Sequence, residues 1–422
     1  MTTRIHRRQL LKAAAISPLV AAVNWPRPCA ANARDPLPVA AVVTVYRENS
    51  HADVIVGKIL EGYDQQGGPG PDLKLVSLYV DQFPETDLSR ELAAKHGFRV
   101  AETIDDAITL GTNDVQVAGV LSIGEHGSYP LTADTNQRMY PRLRFFNEIV
   151  TAFRRCGRSV PVFNDKHLSY CWGDAQFMCD TARRMDFPLM AGSSLPVAWR
   201  IPPLELPLDC EIEAALGIGY GGLEDYGFHA LETLQCMVER RRGGETGVTS
   251  VQIAKGDAIW EAQRKGRWSR DLLDAALEVI PHETDGPPDE LLGDAAAFFL
   301  VESRDGMRSA VAMANGLLEE FGCAVKLKGE AKPLASWFKL QNGKPYGHFS
   351  YLLRAIEQMI HVGQAAYPAE RTLLTTGILD RAMRSSAQNG AFQATPELDV
   401  QYTAVDWPYA NHPESPLTLP ND

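Results

Sequence analysis

Asp225, His229 and Glu232 stand four and three positions apart in Gly221-Gly222-Leu223-Glu224-Asp225-Tyr226-Gly227-Phe228-His229-Ala230-Leu231-Glu232. In a helix the three share one face, and a carboxylate beside an imidazole is equipped to move a proton. The same residues also suit a helix start in which Asp225 caps and His229 packs in the core. The block alone therefore leaves acid–base chemistry and packing both open. His126 and His167 could join His229 and Glu232, but their spacing matches no metal motif, and no metal is expected.

Elements of two kinds must position this block. From residue 39 to about 195 short apolar runs alternate with amphipathic stretches. The runs 39–46, 73–80, 115–122 and 160–163 read as strands buried on both faces, as parallel sheets require. Helical patterns at 52–63, 88–96, 139–153 and 172–185 separate them, which predicts βαβ units and a Rossmann-like, doubly wound sheet. Beyond about residue 205, runs at 248–255, 296–302, 307–314 and 335–340 read as strands of an open, mainly antiparallel sheet. Asp305-Gly306 supplies a hairpin turn there, and helices follow at 349–362 and 373–386. The expected division is residues 1–33, 34–200, 201–406 and a tail 407–422.

Residues 1–33 hold Arg4, Arg7, Arg8, Lys12 and Arg27 and no acid. Arg7-Arg8-Gln9-Leu10-Leu11-Lys12, an apolar run from Ala13 to Val23 and Ala31-Asn32-Ala33 follow in the order of a twin-arginine signal. The run is far shorter than the ~20 residues of a membrane span. Export of the folded chain to the periplasm is expected, and such export suits a protein whose cofactor is inserted first. Without this segment 36 Lys+Arg face 53 Asp+Glu, a net charge of −17, which argues against nucleic acid or an anionic membrane as partner. The seven cysteines form no CxxC pair and no zinc ribbon.

Together the two halves resemble the Gfo/Idh/MocA oxidoreductases over roughly residues 39–400. Gly221-Gly222, Asp225, Gly227, His229 and Glu232 meet that family's Gly-Gly…Asp-x-Gly-x-His block. Asp165-Lys166-His167 meets its Glu-Lys-Pro loop, with the acid shortened and the proline replaced. Ser122-Ile123-Gly124-Glu125-His126-Gly127-Ser128-Tyr129-Pro130 loosely meets the loop after its third main strand. The resemblance implies a dinucleotide fold with NAD or NADP, a sugar or polyol substrate, and an oligomer built on the bare face of the second sheet. It further implies His229 as proton acceptor or donor, Asp225 as its electrostatic support and Lys166 as the group that polarises the substrate oxygen. Asp81, at the end of the second strand, takes the place of the acid that hydrogen-bonds the adenosine ribose. Ser122, Glu125 and Asp165 fall on cofactor positions, and His126, His167 and Glu232 on the substrate side.

One element departs. A pyrophosphate site needs G-x-G-x-x-G after the first strand, because only glycine lets the backbone approach phosphate at a helix N-terminus. Thr44-Val45-Tyr46-Arg47-Glu48-Asn49-Ser50-His51 has no glycine. Tyr46 and Arg47 stand at the switch point where open α/β sheets bind ligands, and Arg47 could hold an anionic group. Two enzymes are compatible with this pattern: an exported oxidoreductase with tightly bound NAD(P), or a cofactor-free lyase, hydratase or epimerase using His229 and Lys166. A non-catalytic binding protein on the same fold is the third possibility.

Overall fold

Strand β1 (Leu37–Val43) sends Ala40 and Val42 into one apolar cluster and Val39, Ala41 and Val43 into another. It is therefore covered on both faces, and its near-continuous apolar sequence follows from that. The computed structural model describes residues 36–282 and 286–411, which belong to one compact unit. The expected signal, residues 1–33, and the last part of the expected tail lie outside the described residues.

Around β1 run β2 (Leu73–Val80), β3 (Arg99–Ala101), β4 (Gly119–Ile123), β5 (Val162–Asp165) and β6 (Leu189–Gly192), all parallel, in the order β3-β2-β1-β4-β5-β6. The order reverses between β1 and β4, which opens a crevice at their C-terminal ends. Between the strands lie α1 (His51–Glu61), α2 (Ser89–His96), α3 (Ile104–Thr109), α4 (Arg142–Cys156) and α5 (Trp172–Arg184). This is the expected doubly wound fold. The short β3 and β6, too brief for a periodicity signal, complete the sheet.

The second sheet has eight strands and contains β7 (Trp199–Ile201), β8 (Ile212–Gly219), β9 (Val248–Lys255), β10 (Ala297–Ser303), β11 (Arg308–Met313), β12 (Phe321–Leu327), β13 (Leu334–Lys339) and β14 (Gln393–Ala394). It is mainly antiparallel, with one parallel pair, β8 with β11. Gly306 adopts φ +85° at the tip of the β10–β11 hairpin, as Asp-Gly predicts. One face carries α6 (Asp225–Val238) and α11 (Ala369–Ala387), and α11 also packs on α5 and β6.

The opposite face corrects an expectation. It is not bare: α7 (Asp257–Arg264) and α8 (Arg270–Val279) lie on it, burying Ile259, Leu272 and Leu273 with Ile218, Phe298 and Leu300. The sheet face expected to be bare carries the chain's own amphipathic helices. After the short α9 (Pro288–Leu291), α10 (Gly347–Val362) returns to the first sheet, where Ile360 sits against Gly119 of β4. Tyr409 and Ala410, expected in an extended tail, are buried, and Asn411 accepts the Arg200 amide hydrogen.

Candidate functional site

Lys166, the residue after β5, has φ +66°. A left-handed lysine costs on the order of 1–3 kcal/mol and persists only where its surroundings enforce it. Here its amide donates to the Gly192 carbonyl at 3.1 Å. The turn sends three consecutive side chains to three elements. Asp165 meets Nδ1 of His51, at the start of α1, at 2.7 Å; Lys166 meets Nε2 of His229 on α6; His167 accepts from Arg142 of α4 at 2.9 Å. Lys166 and His229 are thus brought together as expected, in direct contact.

Asp225 does not support His229. It opens α6, its carboxylate is exposed, and it accepts the Tyr226 amide hydrogen at 2.9 Å. One turn away from the imidazole, as the first residue of the helix, it reaches only the rim of the cavity. His229 instead lies between Tyr226 and Phe321, with ring centroids 6.1 and 5.8 Å away. Burial, reinforced by the Lys166 charge, holds its pKa well below the ordinary value. A neutral imidazole accepts the ammonium's hydrogen at Nε2, so its own proton sits on Nδ1.

Glu232 is a second correction. It accepts from Thr375 at 2.9 Å and from the Ser193 amide at 3.3 Å, which ties β6 to α11 behind the site. It is buried and lies outside the cavity wall. It shares a helix face with Asp225 but lies two turns further along α6, where that face has left the cavity rim and entered the core.

The cavity itself, about 430 Å³, is lined by Glu125, Arg138, Tyr140, Lys166, His167 and Glu224, with Asp225 at its edge. A chain of charge runs through its wall. Arg142, fully buried, pairs with Glu125 at 2.6 Å and donates to His167, whose Nε2 is 4.0 Å from Glu224. Burial alone would raise the Glu125 carboxyl, but Lys166 and Arg142 outweigh it and hold the pKa at about 2. Burial pushes Glu224 the other way, to about 7, against the hydrogen bond it accepts from the Arg138 amide. Burial also lowers His126, to about 4, and His167, well below the ordinary value. Among the described residues, buried atoms without a hydrogen-bond partner gather here: His126 Nε2, Asp165 Oδ1, His167 Nδ1, Glu224 Oε1 and His229 Nδ1. Unpaired buried polar atoms are costly and rare; of these residues His167 and Glu224 line the cavity itself, where a polar ligand would complete the bonding.

Arg142, Glu224, His51 and Arg138 had no assigned role in the sequence reading. Arg142 did leave a signal. A cation in the first turn of a helix opposes the helix dipole, which requires a counter-charge nearby.

The sequence matches no protein-family profile and no curated protein. Solved structures do match in shape. GenD2 from gentamicin A biosynthesis, crystallised with NAD, superposes with a TM-score of 0.55 at 14% identity, covering 87% of this chain and 99% of that one. A probable dehydrogenase from Thermotoga maritima gives 0.52 at 12% identity over 85% and 99%. Scyllo-inositol dehydrogenase from Lactobacillus casei gives 0.51 at 11% over 85% and 98%. This chain has the dehydrogenase fold. It is the fold that the resemblance to the Gfo/Idh/MocA oxidoreductases implies.

The dehydrogenase fold places a dinucleotide across the C-terminal ends of β2, β1 and β4, with its pyrophosphate at the start of α1. The residues here do not fit that group. Tyr46 is fully buried beneath the loop and belongs to the core. Arg47 turns its guanidinium to the Glu48 carbonyl. Two amides at this turn are already bonded, Asn49 to the Asp53 carboxylate at 2.9 Å and Asp53 to the Ser50 hydroxyl at 3.3 Å. Ser122 is enclosed within β4. Asp81 accepts from Tyr79 at 2.9 Å, from Tyr129 at 2.7 Å and from Arg144. Glu125 and Asp165 face Arg142 and His51.

Proposed function

We propose that this chain is an enzyme that moves protons at a hydroxyl-bearing carbon of a sugar or polyol, with Lys166 and His229 as one acid–base unit and Glu224 as the second group. The contact between Lys166 and His229 at the edge of a charged cavity carries the reading. Lys166 lines the cavity while His229 stands behind it, so the lysine touches substrate and the imidazole relays the proton. Glu224, near pKa 7 and with one oxygen unpartnered, is matched to proton transfer at neutral pH.

In an elimination, one group removes the C–H proton, that electron pair forms the double bond, and the hydroxyl departs as water with the proton of the other. In an epimerisation the second group returns a proton to the opposite face. The polar wall suits a ligand that offers donors and acceptors together, which polyols do.

A second reading keeps hydride transfer: an oxidoreductase with tightly bound NAD or NADP. Its support is the dehydrogenase fold and the NAD held by GenD2. We further propose, on the twin-arginine pattern of residues 1–33, export of the folded chain to the periplasm. The mass of the mature protein, cleaved after Ala33, tests this.

Turnover of a panel of sugars, sugar acids and polyols tests the main reading. A fall in turnover of at least about a hundredfold in Lys166→Met and in His229→Ala is expected. Ligand binding without turnover in the wild type, unchanged in both variants, would leave a non-catalytic binding protein.

A further inference from the structure

We infer that the nucleotide crevice of this chain is filled in cis by the segment Glu125–Tyr129, and that its chemistry runs without a dinucleotide. The segment leaves β4 and passes over the end of β1 to reach β2, along the line a dinucleotide takes in this fold. Each step is anchored. The Glu125 carbonyl accepts from the Thr44 hydroxyl, just after β1. Gly127, at φ +95°, lies so close to the crevice floor that a Cβ there would stand 3.3 Å from Val45 and 3.0 Å from Gln82. Ser128 and the Gln82 side chain bond twice, the Ser128 amide to Oε1 and Nε2 to its carbonyl, both at 2.9 Å. This is the pairing one peptide would give another across a sheet. Tyr129 then donates to Asp81 at 2.7 Å.

Asp81 therefore binds the chain's own phenol where the fold offers a ribose acid. Its other oxygen is held by Tyr79 and Arg144. A ribose would have to displace Tyr129, and a pyrophosphate would have to lift the segment from Thr44 and Gln82. The pyrophosphate would also meet the Asp53 carboxylate and Glu48, itself 3.4 Å from Lys344, in place of a glycine cradle.

The filling also builds the substrate cavity. The Tyr129 carbonyl accepts from Arg138 at 2.7 Å, and Arg138 lines the cavity whose wall holds Lys166 and Glu224. Asp81 is thus a positioning residue: it fixes Tyr129, which fixes Arg138. The inference goes beyond the proton-transfer reading, because a closed crevice holds whether or not Lys166 and His229 react.

The test uses the full mature chain. Purified protein is unfolded and its supernatant examined by mass spectrometry for nicotinamide nucleotides; NAD⁺, NADH, NADP⁺ and NADPH are then titrated at millimolar concentration by calorimetry. No released nucleotide and no saturable binding are expected. One nucleotide per chain, or saturable binding that Asp81→Asn weakens, would overturn the inference. In Asp81→Asn and Tyr129→Phe, amide hydrogen exchange across residues 126–130 is expected to speed up at least tenfold, with global unfolding little changed. Unchanged exchange in both variants would refute the clasp. Loss of turnover in Lys166→Met tests the proton-transfer reading separately, since that residue takes no part in the crevice contacts.

Discussion

Lys166 and His229 touch although 63 positions separate them, and the contact joins the end of a parallel strand to the first turns of a helix in the second half of the fold. The lysine reaches it through a left-handed backbone that no local propensity favours. Strain held in place by the Gly192 hydrogen bond is the physical mark that this side chain must point where it does.

If the pair acts as one unit, its parts are not additive. Lys166→Met and His229→Ala are each expected to lower kcat by about 10²–10⁴-fold. The double variant should fall little further. Steady-state kinetics on the substrate found by screening measures both; additive losses would separate the two residues.

Glu224 sets a pH limb. With its carboxyl at about 7 and acting as the acid, kcat/KM should decline as pH rises through about 7. Glu224→Gln should flatten that limb while leaving the protein folded by circular dichroism. A limb that survives the substitution would assign it to another group.

The same shift makes a stability prediction. Glu224 and Glu232, the latter raised to about 6 by burial, bind their protons more tightly folded than unfolded. Their contribution is full below the ordinary value of 4.5 and is lost as pH rises toward 6 and 7. Urea midpoints of Glu224→Gln should therefore depend less on pH across this window than those of the wild type.

Arg142 and Glu125 form a buried pair, with side-chain exposures of 0% and 9%. Removing one partner strands the other charge, and Arg142→Leu is expected to cost about 3–5 kcal/mol in urea unfolding. Arg142→Leu with Glu125→Leu should recover much of it. A double variant as unstable as the single one would show that the arginine's packing, with its contact to His167, carries the stability.

Glu232 tests the reassignment from substrate to framework. Glu232→Ala leaves the Ser193 amide without its buried acceptor, while the Thr375 hydroxyl keeps the Arg371 and Thr372 carbonyls, and should cost about 1–3 kcal/mol. Its KM should stay near that of the wild type, whereas a substrate ligand would raise KM.

Much of the frame was legible because its cause is local. The apolar run at 39–46, the Asp305-Gly306 turn and the alternation of strand and helix each report burial or backbone freedom that a few neighbouring residues decide. Lys166 and His229 were legible as residue types, through resemblance. Their contact was not, nor was the turning away of Asp225 and Glu232, since helical spacing gives a shared face but not what that face meets. Bare sheet faces were read from strands alone, while the amphipathic pattern of α7 and α8, which covers one, becomes informative only when its partner surface is known.

The sequence by itself determined the two sheets, the lysine and histidine of the proposed pair as residue types, and the absence of a glycine cradle after β1. Only the tertiary structure decided what stands in that place. The pairing of Tyr129 with Asp81, of Arg142 with Glu125 and of Lys166 with His229 depends on which strands are neighbours and which loops cross them. Such long-range pairings are set by the fold as a whole, because the free energy of each buried charge depends on partners that sequence distance does not encode.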